Sequence, residues 1–154
     1  MHELESFLKH FRANTIILTF VNTQYLPIFR IWLNYFRNNQ LPNLLVISLD
    51  QNIHNQLNDL KVPNILMTLP GFDEFISTKR YDKEESKNLR RLWHLRNYVL
   101  AQILARGFNV LCCDAEAFWL NDIFGFIKQY PQDIISSIAY GHPAEIVKKW
   151  GFVL

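Results

Sequence analysis

The residues best suited to chemistry are Asp114 and Glu116, two carboxylates two positions apart in the segment GFNVLCCDAEAFWLNDIF (107–124). They close an apolar run made of Phe108, Val110, Leu111, Cys112 and Cys113. Ending a hydrophobic strand on acids is costly unless something cationic meets them. In an extended chain residues two apart share a face, so the two carboxylates are expected to converge on one point. Hard oxygen ligands so arranged suit a divalent cation such as Mg2+ or Mn2+, which could in turn hold a diphosphate.

A third charged residue stands out by its position. Residues 84–106 read as a long helix stopped by Gly107 in the C-cap region, with an apolar stripe of Leu89, Leu92, Trp93, Val99, Leu100 and Ile103. Arg96 sits in the middle of that stripe, at the spacing that faces inward. A guanidinium there must be paired or must reach an anion. Either it contacts a ligand phosphate or carboxylate at the sheet edge, or it makes a structural ion pair, with Asp114 as the candidate partner, or its head snorkels to solvent.

The elements that must hold these groups alternate between strand and helix. Residues 14–21 (NTIILTFV) are a β-branched and aromatic run that reads as a buried first strand ending at Asn22. Asn22 or Thr23 then caps a helix through about residue 38, in which Leu26, Phe29, Trp32, Leu33 and Phe36 recur at helical spacing. A second strand is expected at 43–49, a short helix at 52–60 and a third strand at 64–67. Residues 69–83 look like a surface loop with a turn at Pro70-Gly71, and a helix is expected at 123–129. Residues 134–140 read as a further strand, 144–150 as a short helix, and 151–154 as the start of another strand.

Such alternation implies right-handed crossovers and a Rossmann-like α/β fold, a mostly parallel sheet with flanking helices. Ligands bind such sheets beyond the carboxyl ends of the strands, which selects Asn22, Asp50 and Asp114. Asp50 reads as the cap of its helix rather than a ligand contact, and Asp122 as the cap of the helix at 123–129. The five histidines show no metal spacing and no paired nucleophile. The absence of a Gly-rich phosphate loop and of a Gly-x-Ser-x-Gly elbow argues against kinase, P-loop, hydrolase and dinucleotide oxidoreductase chemistry.

The wording around the carboxylates resembles the Asp-x-Asp segment of the nucleotide-diphospho-sugar transferase family, glycosyltransferases of the GT-A type. Gly107, Val110, Leu111, Asp114, Trp119, Leu120, Asp122 and Phe124 match its pattern; Glu116 replaces the second Asp and Ile123 the expected Pro. Trp93, Arg96, Leu100 and Gly107 also follow the family's wording ahead of that strand. The resemblance implies a nucleotide-diphospho-sugar donor bound by Thr19, Asn22, Arg96 and Asp114, a Mn2+ or Mg2+ ion on Asp114 and Glu116, and an acceptor (glycan, protein or small molecule) that the residues do not identify. No residue is defensible as a general base. The resemblance covers nearly the whole chain but only the donor-binding half of such an enzyme. The expectation is therefore one α/β domain over 1–154, truncated at its carboxyl end or a fragment of a longer product.

Composition sets looser bounds. A chain of 154 residues, 49% hydrophobic and 14% aromatic, can bury one sizeable core and is not disordered. Sixteen basic and 14 acidic residues give a net charge of +2 and no case for bulk nucleic-acid or anionic-membrane binding. No apolar run approaches the roughly 20 residues of a membrane span, and the first residues lack the order of a signal peptide. Cys112 and Cys113, adjacent in one strand, read as reduced core residues, and the expected location is cytoplasmic. Two other readings remain: a non-catalytic remnant that binds sugar nucleotides, and an α/β interaction domain in which the acids simply end a strand.

Overall fold

In a computed structural model the protein is described over residues 2–11, 14–41, 43–68, 83–119 and 121–129. The expected elements within 69–82 and 130–154 lie outside the described residues. The chain divides into two compact units, 1–118 and 119–154. In the first, four parallel strands form one sheet: β1 (Thr15–Val21), β2 (Leu44–Ser48), β3 (Asn64–Leu66) and β4 (Asn109–Cys112), in the order β3-β2-β1-β4. This is the expected α/β Rossmann-like arrangement. β1 pairs with both β2 (Ile17 beside Leu44) and β4 (Thr15 beside Asn109), so its apolar residues have sheet on both edges.

The pleat sorts β1 between two layers. Ile16 and Leu18 pack with Leu45, Ile47 and Leu49 of the β2 region and with Val99 and Ile103 of the long helix α4 (Lys83–Leu104). The short helix α1 (His2–Leu8), which the sequence pattern did not suggest, adds Leu4 and Leu8 to this layer, and its Glu5 carboxylate accepts a 2.9 Å bond from Arg106. Alternation turns Ile17, Thr19 and Val21 the other way. The helices after β1 and β2 supply a second set of buried side chains: Phe29, Trp32, Leu33 and Phe36 of α2 (Leu26–Asn38), and Ile53 and Leu57 of α3 (Gln51–Asp59).

The long helix corrects one expectation. Leu92, Leu95, Val99, Leu100 and Ile103 pack on the core layer, whereas Trp93 is 65% exposed. Positions 92, 95, 99 and 103 already follow the three-and-four spacing of one helix face, and Trp93 lies about 100° around from Leu92. Gly107 ends the helix as expected, with a φ of +83° that residues bearing a Cβ rarely adopt. No helix among the described residues is long and apolar enough to cross a membrane. In the second unit, α5 (Ile123–Ile127) is capped by Asp122, whose Oδ1 accepts from Phe124 N at 3.1 Å.

A buried polar network joins β2, α3 and β3. Asn64 donates through Nδ2 to Val62 O (2.9 Å) and Asn58 Oδ1 (2.8 Å). Its Oδ1 accepts from the Ser48 hydroxyl (2.7 Å) and lies 2.6 Å from His54 Nδ1. Since Asn64 Oδ1 can only accept, His54 carries its proton on Nδ1, leaving Nε2 to accept from Asn58 at 3.2 Å. His54, to which the sequence pattern gave no role, is thus a structural part of the sheet edge. Because each buried group stripped of its partner costs about 1–3 kcal/mol, Asn64→Ala is expected to lower unfolding free energy by roughly 2–4 kcal/mol. Gln51→Ala, which breaks only an exposed bond to Asn55, is expected to cost below about 0.5 kcal/mol. Urea denaturation of both variants checks this contrast, and equal midpoints would contradict the network's role.

Candidate functional site

The strand order places a topological switch point between β1 and β4. From β1 the chain moves through α2 to β2 on one side, whereas β4 lies on the other side and is reached through α4. In sheets of this kind a crevice at such a point, beyond the carboxyl ends of β1 and β4, is the usual ligand position. Asn22 ends β1, and Asp114 and Glu116 follow β4.

Asp114 meets Arg96. Arg96 Nη1 donates to Asp114 Oδ1 at 2.9 Å, its Nη2 lies 3.5 Å from Cys112 Sγ, and its guanidinium carbon stands 5.6 Å from the centre of the Phe20 ring. The register explains this grouping. Leu18 pairs with Cys112 and Cys113 N donates to Leu18 O, so Phe20 and Asp114 both project toward the α4 layer, where Arg96 stands one turn before Val99 and Leu100. Burial works against the charge of Arg96, but Cys112 and Asp114 outweigh it and hold the guanidinium's pKa above its ordinary value. The side chains of Arg96 and Asp114 are 25% and 64% exposed, so the pair sits toward the surface at the strand ends rather than within the core.

The backbone that carries the two acids differs from the one expected. Sheet pairing of β4 stops at Cys112, and Asp114 to Ala117 form a turn in which Ala117 N donates to Asp114 O at 3.0 Å. Strand alternation therefore does not set their relation. The turn is pinned from α2: Trp32 Nε1 donates to Ala117 O at 2.9 Å, and the Phe118 ring meets Tyr35 edge-on at 5.1 Å. Ala115 is buried between its exposed acidic neighbours. The turn brings Glu116 to Tyr25, in the 3-10 turn Thr23–Tyr25 that follows Asn22. Burial, the Glu116 charge, a hydrogen bond to Glu116 and the Asp114 charge together push the Tyr25 hydroxyl above its ordinary value of 10.0. Both carboxylates thus lie within electrostatic reach of one phenol.

The remaining candidates separate. Asn22 Oδ1 accepts from Tyr25 N at 3.1 Å, capping the 3-10 turn at the edge of the crevice. Thr19 is not brought to that edge. It is fully buried within the sheet, three residues or roughly 10 Å before Asn22 along an extended strand, and its hydroxyl has no hydrogen-bond partner among the described residues. Asp50 caps α3 through Ile53 N (2.8 Å) and accepts from Thr23 N (2.7 Å) and the Thr23 hydroxyl (2.6 Å), fixing the loop that carries Tyr25. Among the described residues no group of three or more His, Cys, Asp or Glu side chains could hold a metal ion. The side chains of Asp114 and Glu116 offer carboxylate oxygens, the chemistry that would suit a hard cation able to keep waters and take phosphate oxygens for the rest of its shell.

The sequence model of the nucleotide-diphospho-sugar transferases matches residues 39–148, a span that includes Arg96, Asp114 and Glu116. The chain belongs to this family. Its relatives include beta-arabinofuranosyltransferase RAY1 of Arabidopsis thaliana, 23% identical over 130 residues that make up 82% of this chain and 23% of the relative. Arabinosyltransferase XEG113 of the same plant is 22% identical over 135 residues, 86% of this chain and 20% of the relative. The chain therefore spans under a quarter of either relative's length. No solved structure matches it.

In this nucleotide-diphospho-sugar transferase domain both cysteines beside the carboxylates are free thiols. Burial, aided by Cys112 and Asp114 and opposed by Arg96, pushes the Cys113 thiol from its ordinary 9.0 up to about 12. A folded-state value above the unfolded one means that the native chain holds this proton more tightly, so stability is unaffected by it below pH 9 and falls as pH rises from 9 toward 12. Cys113→Ala should flatten that alkaline decline. Urea midpoints at pH 8 and pH 10.5 for both proteins test it, and parallel declines would refute the buried neutral thiol.

Proposed function

We propose that this domain binds the nucleotide-diphospho-sugar donor of a glycosyltransferase in the crevice beyond β1 and β4. In this reading Asp114 and Glu116 hold a Mn2+ or Mg2+ ion with the donor's diphosphate, Arg96 faces the phosphates, and Asn22 lies on the nucleoside side with Thr19 buried behind it. The observation that carries it is the gathering of two carboxylates and a guanidinium at the switch point, with Tyr25 in reach of both acids. The cation, when bound, supplies Lewis-acid stabilisation of the departing diphosphate. Arg96 adds fixed positive charge to that stabilisation, and the apolar groups around it, Phe20 and Cys112, limit screening by water. The named activities of both relatives make a nucleoside diphosphate arabinose the first donor to assay. A second reading, in which Asp114 serves only as the counter-ion of Arg96, draws on their 2.9 Å ion pair.

A ligand that binds only the folded state raises its stability, by about 2.7 kcal/mol at a hundred times its dissociation constant. For a domain of this size that is a melting shift of roughly 5–10 °C. Mn2+ with UDP or GDP is expected to give such a shift in calorimetry, neither component alone to match it, and Asp114→Asn to abolish it while still folding. Unchanged melting of well-folded wild type at millimolar Mn2+ and nucleotide would sink the donor-site reading, and loss of folding in Asp114→Asn would favour the structural ion pair.

A further inference from the structure

We propose that Arg96 stands in for the cation in the ligand-free domain. Its guanidinium neutralises Asp114 until a metal takes the carboxylate, and then turns to the donor's diphosphate. This inference rests on the donor-site reading above and concerns how that site is kept ready and how it is filled.

Three features of Arg96 support an exchange rather than a fixed pair. The first is spare capacity. A guanidinium has five N–H donors, but the described structure gives Arg96 one carboxylate oxygen and one thiol sulfur as acceptors, and sulfur is a weak one. The second is the low cost of release. Asp114 is largely exposed and meets Arg96 through a single Nη1–Oδ1 contact, the kind of ion pair that contributes little in water. A phosphate can instead accept two parallel N–H bonds, the stronger and more directional arrangement. The third is a fixed mounting. The side chain rises from α4 and lies against the face of Phe20, so the guanidinium can change partner without leaving the crevice.

The second carboxylate has a matching partner. The Tyr25 hydroxyl lies toward Glu116, so each of the two carboxylates has a donor of its own. An unpaired acid pair at the end of an apolar strand would repel itself and weaken β4; a guanidinium and a phenol relieve that repulsion. A divalent ion on Asp114 would face the Arg96 guanidinium on Oδ1 at a few ångströms, and that repulsion favours release of Arg96 from the carboxylate. Diphosphate is the anion that rewards the displaced group.

The consequence is a pair of effects with opposite signs. Arg96→Met keeps the stem's packing but removes the competitor, and it should raise affinity for Mn2+ alone by roughly 3-fold, the scale of an exposed ion pair. The same variant should lower affinity for UDP in saturating Mn2+ by roughly 10-fold or more, the scale of a charged hydrogen bond to phosphate. Arg96→Lys should restore competition for Asp114, and with it near-wild-type Mn2+ affinity, but only part of the nucleotide affinity, because an ammonium lacks the planar fork. Titration calorimetry on folded protein, with Mn2+ alone and then UDP in Mn2+, reads all four changes. Parallel loss of both affinities in Arg96→Met, or unchanged Mn2+ affinity, overturns the exchange and leaves a structural arginine. If Arg96→Met does not fold, Arg96→Lys decides alone: equal losses of metal and nucleotide affinity overturn the proposal. Wild type that binds neither probe overturns the donor-site reading together with this one, whereas nucleotide binding indifferent to Arg96 overturns only the exchange.

Discussion

Everything in the described domain is arranged around β1, which has strands hydrogen-bonded on both edges and side chains packed on both faces. Ile16, Ile17, Leu18 and Val21 lose all contact with solvent there. The buried part of such a strand is apolar, because a polar group there loses water without gaining a partner; the unbonded hydroxyl of Thr19 is the exception, and Thr15 at the strand's start is only half-buried. The need to cover both faces sends α2 and α3 to one layer and α4 with α1 to the other. The chain then has to reverse direction beside β1, and a reversal in a parallel sheet leaves a crevice at the strand ends. Site and core are thus consequences of the same pairing.

Charge compensation then governs what occupies the crevice. β4 leaves the sheet carrying acids, and the structure answers each with a donor from a different element: Arg96 from α4 for Asp114, and Tyr25 from the turn after β1 for Glu116. Asp50 has another task, since it caps α3 through one short bond and holds Thr23 through two. Trp32, far away in sequence, fixes the acidic turn through its indole N–H. The grouping draws on four segments of chain, each anchored by core packing or by a helix cap.

The fold was legible in the sequence to a large degree because its signals are local. Strand runs such as TIILTFV, the spacing of Phe29, Trp32, Leu33 and Phe36, and Gly107 after a long helix each report a conformation their own residues prefer. The alternation of these elements implied a parallel sheet, and the wording around Asp114 implied the transferase family. Helix α1 was missed because seven residues hold too little pattern, and Leu4 and Leu8 become core only against a layer built from α4 and the sheet. Trp93 was misplaced because several apolar neighbours satisfied a broad stripe, and only the position of the sheet selects which of them faces inward.

By itself, then, the sequence determined which polar and charged residues stand near the strand ends: Asn22, Arg96, Asp114 and Glu116 can all be picked out from type and spacing. Tertiary structure decided what each of them meets. The turn at Asp114 to Ala117 replaced the extended geometry that alternation implies, and its direction depends on Trp32 and Tyr35, about 80 residues earlier. Tyr25 and Phe20 joined the site only through strand register and through the loop held by Asp50. His54 became a hydrogen-bond partner of the sheet edge only because Ser48 and Asn64 meet across β2 and β3. Local preference fixes backbone conformation over a few residues, whereas a partner for a buried or charged group is supplied by whatever segment packing brings within about 3 Å of it, and no local pattern encodes that.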